Sequence, residues 1–225
     1  RQMLPVRGIM VSHNLEHEGA PNVMMEVVCG LKCRGVLDPI VLSPRDGPLR
    51  SDYENAGITV EIVDHPIMHV HDDAAFASAM DRFGSKLRSI NAHFVYGNTL
   101  QTFWAIAGAK SAGLPAVWNP RESEEWNTYF DYLAPPLRPH AYAAFEYAYS
   151  VVFCADATRV NWMPVLENHN YRVIRDGLNE ARFAARAARW SPSQARAHLG
   201  ISNTDVVAVL VGTVCDRKGQ IDLVH

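Results

Sequence analysis

The chain has 225 residues, of which 48% are hydrophobic and 20% charged, and its formal net charge is -3. This is an ordinary globular composition, and the length suits one large domain or one and a half ordinary ones. The charge balance gives no reason to expect nucleic acid, and no Lys/Arg block suggests a membrane surface. No apolar run reaches the ~18 residues that cross a bilayer, and no signal-peptide pattern opens the chain.

Strand-like and helix-like segments alternate along the chain, and glycines end most of the helices. Apolar runs predict strands at residues 6–12, 38–43, 58–63, 92–96, 115–119, 151–154 and 171–174. Helical spacing of apolar residues predicts helices at 21–34, 47–56, 73–90, 99–112 and 137–149. Short strands joined by helices indicate parallel strands with right-handed crossovers. The predicted fold class is therefore α/β, a Rossmann-like doubly wound parallel sheet.

The last part of the chain indicates the start of a second domain. Residues 179–192 are rich in Ala and Arg without a strand pattern, so they form an exposed helix or a linker. The run from Val207 to Gly212, a polar turn and a new amphipathic pattern predict a strand, a turn and a helix. One strand and part of a helix cannot bury a core. We expect a first domain at 1–178, a linker at 179–192 and a truncated second Rossmann-like domain at 193–225.

Four cysteines are present, and they lie in apolar contexts without the density of a secreted scaffold. We expect them to be reduced core thiols in a cytoplasmic protein. They are Cys29, Cys33, Cys154 and Cys215.

Ligands of a doubly wound sheet bind at the carboxyl ends of the strands, where the strand order reverses. The first such loop contains His13, Glu18 and Gly19 before Pro21 begins the next helix. Free N–H groups there favour an anion or a sugar hydroxyl, although a plain strand-to-helix turn fits equally well. His13 and His17 stand beside glutamates, but a loop does not enforce their spacing, so we expect no metal site. The loop also lacks the Gly-x-Gly-x-x-Gly spacing of a dinucleotide site, which argues against an oxidoreductase.

Two further loops carry polar and aromatic residues. Asn98 and Thr99 suit the floor of a pocket, or Thr99 is an N-cap of the next helix. The stretch 118–126 holds one Arg, three Glu and two Trp, and exposed Trp beside Arg and carboxylates is typical of sugar recognition. Alternatively, Arg121 pairs with Glu122 or Glu124, and Trp126 anchors the loop.

Two motifs near the expected domain junction resemble family 4 of the retaining glycosyltransferases. They are Val173-Ile-Arg-Asp-Gly-Leu-Asn-Glu-Ala-Arg-Phe183 and Val211-Gly-Thr-Val-Cys-Asp-Arg-Lys-Gly219. That family has the GT-B fold, in which an acceptor-side domain and a donor-side domain, both Rossmann-like, face across a cleft. The resemblance spans essentially the whole chain, although Thr213 stands where the family often has Arg. The glutamate-rich donor motif of the family would lie beyond His225.

The resemblance implies transfer of a sugar from a nucleotide diphosphate sugar to an acceptor hydroxyl, with retention at the anomeric carbon. Lys218 falls on the lysine that contacts the donor diphosphate, and Arg217 and Gly19 are candidates for the same task. On the loops of the first domain, the catalytic candidates are Asn98, Arg121 and Glu122. The acceptor-binding candidates are His13, Glu18, Thr99 and Trp126.

The expected partners are a nucleotide-sugar donor, a carbohydrate or lipid-linked acceptor and the second domain of the same chain. No metal and no cofactor apart from the donor substrate are expected, and neither nucleic acid nor a transmembrane segment. The reaction belongs in the cytoplasm, or at the inner face of the membrane, and the fragment by itself is expected to be inactive. The alternative is a non-catalytic glycan-binding Rossmann-like module that uses Trp118, Trp126 and Arg121 to hold a glycan.

Overall fold

The computed structural model describes residues 4–166, 171–177, 179–212, 214 and 218–224. The chain divides into two compact units, Arg1–Asp176 and Gly177–His225, here called the first and the second unit. The strands are β1 Val6–Val11, β2 Leu37–Ser43, β3 Thr59–Ile62, β4 Phe94–Asn98, β5 Ala116–Asn119, β6 Ser150–Phe153 and β7 Tyr171–Val173. The helices are α1 Gly19–Cys33, α2 Leu49–Asn55, α3 Asp73–Ser89, α4 Phe103–Ala112, α5 Arg138–Tyr147, α6 Asp156–Trp162, α7 Glu180–Ala187, α8 Pro192–Leu199 and α9 Gln220–Val224.

The first unit is built on a seven-stranded sheet in the order β3-β2-β1-β4-β5-β6-β7. Every strand pair in it is parallel. From β1, strands β2 and β3 follow towards one edge of the sheet, and β4 to β7 then follow towards the other edge. The strand order therefore reverses between β1 and β4. The predicted α/β doubly wound class is confirmed, and each strand predicted before residue 178 corresponds to one of the seven.

The core lies on both faces of the sheet, because consecutive residues of a strand point to opposite sides. In β1, Ile9 and Val11 belong to the buried cluster that includes Trp104 of α4 and Phe145 of α5. Met10, between them, belongs to the second buried cluster, with residues of α1 and α2. Burial of each apolar side chain of this kind stabilises the folded state by roughly 1.5–3 kcal/mol relative to its exposure to water. This two-sided burial fixes the strand ends on which the polar loops are mounted.

Two helices were not anticipated. In α6 only Thr158 and Trp162 are buried, so the short helix has too few apolar positions to show a period. Helix α8 is set by its ends: Ser191 accepts a hydrogen bond from the backbone of Gln194 in a capping box, and Gly200 ends the helix in the left-handed region.

The strand predicted from Val207 to Gly212 is wrong, since this segment forms no strand in the structure. A strand needs a neighbour to satisfy its backbone groups, and the described part of the second unit contains no other strand. Its valines and leucine are exposed, Val211 by 90%. Thr213, Cys215 and Arg217 lie outside the described residues. Over the described ranges, no helix combines the length and apolarity needed to cross a bilayer.

Candidate functional site

The polar loops meet where the strand order reverses. His13 follows β1, Asn98 ends β4, and Arg121 and Glu122 follow β5. The register pairs Asn98 with Asn119, so the carboxyl ends of β4 and β5 are level. Crevices at such a reversal are the usual ligand sites of open α/β sheets. The sequence-predicted residues of the first three loops therefore lie at one edge of the sheet.

Arg121 and Asn98 form the centre of this crevice. Arg121 Nε donates to Asn98 Oδ1 (3.0 Å), and the Asn98 amide nitrogen donates to the carbonyl of Ala20 (3.0 Å). Arg121 also pairs with Asp176, with 2.7 Å between the guanidinium and the carboxylate. The Asn98 side chain is fully buried, and that of Arg121 is 11% exposed. Arg121 thus joins the end of β4 to the last residue of the first unit, and Asn98 joins it in turn to the start of α1.

Glu122 is held by the backbone rather than by a side-chain cation. Its Oε2 accepts from the N–H groups of Leu100 and Arg121, each at 2.9 Å. Burial raises the pKa of Glu122, against the opposing effect of these donors. The alternative of an Arg121–Glu122 side-chain ion pair is wrong, because the guanidinium pairs with Asp176. Glu122 fixes the turns after β4 and β5, and its catalytic role stays a prediction.

His13 lies between Thr99 and Glu18. Its Nδ1 is 3.3 Å from the Thr99 hydroxyl, and its Nε2 is 3.5 Å from the Glu18 carboxylate. Asn14 donates to the same Glu18 oxygen (3.2 Å). Burial lowers the pKa of His13, although Glu18 acts in the opposite direction. The imidazole is therefore neutral near pH 7, with one nitrogen free of its proton and suited to accept one from a hydroxyl.

Thr99 has a strained backbone. Its φ of 77° and ψ of 160° fall in a region that is essentially restricted to glycine, at a cost of roughly 1–3 kcal/mol. Its N–H donates to the Asn119 carbonyl (3.0 Å), and its own carbonyl accepts from the Trp118 indole nitrogen (2.8 Å). These bonds hold the strained conformation. Thr99 occupies the N-cap position of the 3-10 turn Leu100–Thr102, as one alternative predicted, but its side chain makes no capping hydrogen bond.

The two tryptophans are not exposed stacking platforms. Trp118 is completely buried, so its predicted contact with a glycan is wrong: β5 is covered on both faces and its side chain lies in the core. Trp126 is half-buried, its ring lies edge-on to Tyr142 at 6.2 Å, and its carbonyl accepts from the Tyr142 hydroxyl (2.8 Å). Trp126 therefore anchors the loop, as the alternative to an exposed sugar-binding ring predicted.

The diphosphate candidates lie in different units. Gly19 is the first residue of α1, and no atom stands within 4 Å of the position that a Cβ would take there, so its surroundings are open. Lys218 is exposed and its side chain lies beside Gly212 in the second unit. Arg217 lies outside the described residues.

Two residues of the crevice were missed from the sequence. Tyr96 donates from its hydroxyl to Asn119 Oδ1 (2.7 Å), and the Asn119 amide donates to the Val152 carbonyl. Asp176, which the sequence analysis noted only as part of the motif at 173–183, is the carboxylate partner of Arg121. Their positions, each at or near the end of a predicted strand, were the sequence signal that could have placed them in the crevice. Within the ranges that the structure covers, no three His, Cys, Asp or Glu residues converge in a way that would hold a metal ion.

The geometry defines a Rossmann-like domain with a polar crevice at its strand-order reversal, the fold found in one half of GT-B proteins. No protein-family model and no curated protein matches the sequence. Among solved structures, it is similar to HepE from Anabaena in complex with UDP-glucose (TM-score 0.62, 16% identity, 88% of this chain and 50% of that one). It is also similar to a glycosyltransferase from Rickettsia africae (TM-score 0.60, 14% identity, 89% and 51%).

A UDP-N-acetylglucosamine 2-epimerase is similar as well (TM-score 0.52, 14% identity, 76% of this chain and 48% of that one). The chain spans about half the length of the structures it matches. At these identities the similarity shows the fold alone.

Proposed function

We propose that this chain is the acceptor-side half of a glycosyltransferase of the GT-B type. The whole protein would transfer a sugar from a nucleotide diphosphate sugar to an acceptor hydroxyl, as family 4 does, with retention. The observation that carries the proposal is the crevice at the β1–β4 reversal, in which the largely buried Arg121 guanidinium and the Asn98 amide lie at the same sheet edge as the His13 imidazole. The similarity to a half of HepE, solved with UDP-glucose, supports a nucleotide sugar as the donor.

The residues divide by chemistry. Arg121 presents a guanidinium that binds hydroxyls of the transferred sugar. Asn98, buried and bonded through both ends of its amide, positions that guanidinium, and Glu122 fixes the turns that carry them. His13, Thr99 and Glu18 contact the acceptor. The half-buried ring of Trp126 limits that residue to the edge of the acceptor site.

Transfer breaks the bond between the anomeric carbon and the diphosphate oxygen and forms a bond from that carbon to the acceptor oxygen. The departing diphosphate keeps the electron pair, so it needs cations and backbone N–H groups. Lys218, with Arg217, and the start of α1 at Gly19 are the candidates for this task. The acceptor hydroxyl loses its proton to the leaving group or to a base. We expect no metal and no cofactor beyond the donor, and a reaction in the cytoplasm or at the inner face of the membrane.

The test uses the full-length polypeptide that contains this chain, with a panel of UDP-, GDP- and ADP-sugars. Release of nucleoside diphosphate should fall at least tenfold in Lys218→Ala and remain unchanged in Lys32→Ala. Lys32 is a suitable control because it pairs with Asp38 on the surface (3.3 Å). The 225-residue chain alone should show no transfer.

The product separates the remaining possibilities. Retained anomeric configuration, read by NMR, would agree with the proposal, whereas inversion would contradict retention and make His13 the candidate base. No nucleotide release from any donor by the folded protein would contradict the glycosyltransferase. Glycan binding without turnover would then favour the non-catalytic module, and epimerised UDP-sugar a 2-epimerase-like activity.

A further inference from the structure

A second concave surface lies away from the crevice, between the segment after β3 and helix α3. We call it the β3–α3 groove. It encloses about 810 Å³, within the size range of small-molecule sites. Its polar lining residues are Asp64, His65, His69, Ser78, Arg82 and Lys86. Sequence reasoning assigned nothing to these residues, because they come from a loop and a helix that are only brought together by folding.

The inner wall of the groove includes the His65 ring, which packs against Trp104 behind it. His65 Nδ1 is shielded from solvent and has no hydrogen-bond partner in the described part of the chain. Its ring lies 5.5 Å, centroid to centroid, from that of Trp104, whose Nε1 is likewise buried and unpartnered. Because His65 Nδ1 is shielded from solvent, an occupant of the open groove would contact the rest of the His65 ring, which lines the groove, and not Nδ1.

The outer wall provides one available cation. Lys86 is already paired with Glu61, with 2.6 Å between the two groups. Arg82 donates to the Ser78 hydroxyl (2.8 Å) and takes part in none of the ion pairs among the residues that the structure describes. An Arg held by a neutral hydroxyl keeps its charge and most of its donors for an anion. Asp64, exposed on the same surface, can accept hydrogen bonds only, which suits hydroxyl groups.

The groove opens at the same edge of the sheet as the crevice. It begins after the carboxyl end of β3, and the parallel sheet places that end alongside those of β1 and β4. Strand β3 is two positions from β1, which corresponds to about 10 Å at the usual strand spacing. A ligand in the groove would therefore lie at the same edge of the sheet as the candidate site, on the β3 side of it.

We propose that the β3–α3 groove is a second ligand site, for a small molecule that carries hydroxyl groups and one anionic group, a carboxylate or a phosphate. The anion binds Arg82, the hydroxyls bind Asp64, and the molecule lies against the His65 ring, which lines the groove. If the proposed function is correct, this molecule is the acceptor, or the part of it next to the reacting hydroxyl. Binding to the groove does not depend on that function.

The experiment is an NMR titration of the 225-residue chain with glucose, glucuronate and glucose 6-phosphate, observing the histidine imidazole resonances. Glucuronate, glucose 6-phosphate or both should shift His65 with saturation, and glucose should bind at least tenfold more weakly. Which acid binds more tightly distinguishes a carboxylate from a phosphate ligand. Arg82→Gln should weaken the binding at least tenfold. Arg82 is exposed, so this change should leave the fold intact, which circular dichroism checks.

The matched control is Arg88→Gln, on the same helix but bonded to the Ser111 carbonyl (2.9 Å) outside the groove, and it should bind as the unmodified chain does. Absence of a saturable His65 shift with both acids would overturn the proposal, and so would equal losses in the two variants or equal binding of glucose. The proposed function is tested separately, by nucleotide release from the full-length polypeptide. Absence of that release with the His65 response retained counts against the proposed function, and absence of the His65 response alone counts against the groove.

Discussion

Replacing Arg121 with Met should destabilise the first unit. The change leaves Asn98 Oδ1, in a fully buried side chain, without its donor, which costs about 1–3 kcal/mol. The lost pair with Asp176 adds at most ~1 kcal/mol, because that carboxylate is 39% exposed and water recovers much of the interaction. The free energy of unfolding should therefore fall by about 1–4 kcal/mol.

The assay is urea unfolding followed by tryptophan fluorescence. Three tryptophans, Trp104, Trp118 and Trp162, are fully buried in the first unit and report on its core. The control is Arg50→Met, since Arg50 also has two partners, both of them carboxylates, but is 40% exposed. Exposed helix pairs contribute little to stability, so this variant should lose less stability than Arg121→Met does. The slope with urea should be unchanged in both variants.

An equal loss of stability in the two variants would show that the burial of Asn98 does not determine the free energy of unfolding. A change below ~0.5 kcal/mol for Arg121→Met would show the same. The double variant Arg121→Met/Asn98→Leu provides a further check. The double variant removes both polar partners, so its free energy of unfolding should fall by less than the two single variants lose together. The difference, which is the coupling energy, should be roughly 0.5–3 kcal/mol. Additive losses would contradict a direct Arg121–Asn98 interaction.

Three other changes test separate features by the same unfolding assay. Burial raises the pKa of Glu122, so the contribution of this group to stability is greatest at low pH and is lost as the pH rises through its folded-state pKa. Relative to Glu122→Gln, the unmodified protein should therefore lose stability from about pH 4.3 upwards, and parallel pH profiles would refute this. Gly47→Ala would place a Cβ 2.4 Å from the Leu15 carbonyl oxygen. This clash should lower the free energy of unfolding by roughly 1–3 kcal/mol and displace the loop that carries His13. Gly30 lies in helix α1, and a Cβ added there would meet no other part of the protein within 4 Å. Gly30→Ala should therefore raise the free energy of unfolding by roughly 0.4–1 kcal/mol, and a decrease would contradict the open surroundings.

The sequence predicted the sheet of the first unit well, because buried parallel strands are continuous apolar runs and glycines mark the helix ends. It also selected Asn98 and Arg121, since both follow strands. Their direct bond depends on the register of β4 against β5, which no local pattern encodes. The Arg121 contact with Asp176 joins positions 55 residues apart and is equally invisible.

The errors have physical causes too. An aromatic residue next to a polar loop looks exposed, but Trp118 lies in a strand covered on both faces, where position in the sheet decides burial. The run at 207–212 has strand propensity, yet propensity without a neighbouring strand does not make one. The β3–α3 groove was missed because His65 and Arg82 share no motif and meet only across a loop and a helix.

The backbone of Thr99 has a consequence for which variants of this chain survive selection. At most buried positions glycine is among the worst replacements, whereas at a φ of 77° it is the residue that adopts the required geometry without strain. In a library with all amino acids at this position, screened for folded protein, we expect glycine to be enriched and valine and isoleucine to be depleted. Screening the same library for turnover should restore Thr, if its hydroxyl contact with His13 matters (3.3 Å). The difference between the two enrichment profiles would measure how much folding stability this position gives up for chemistry.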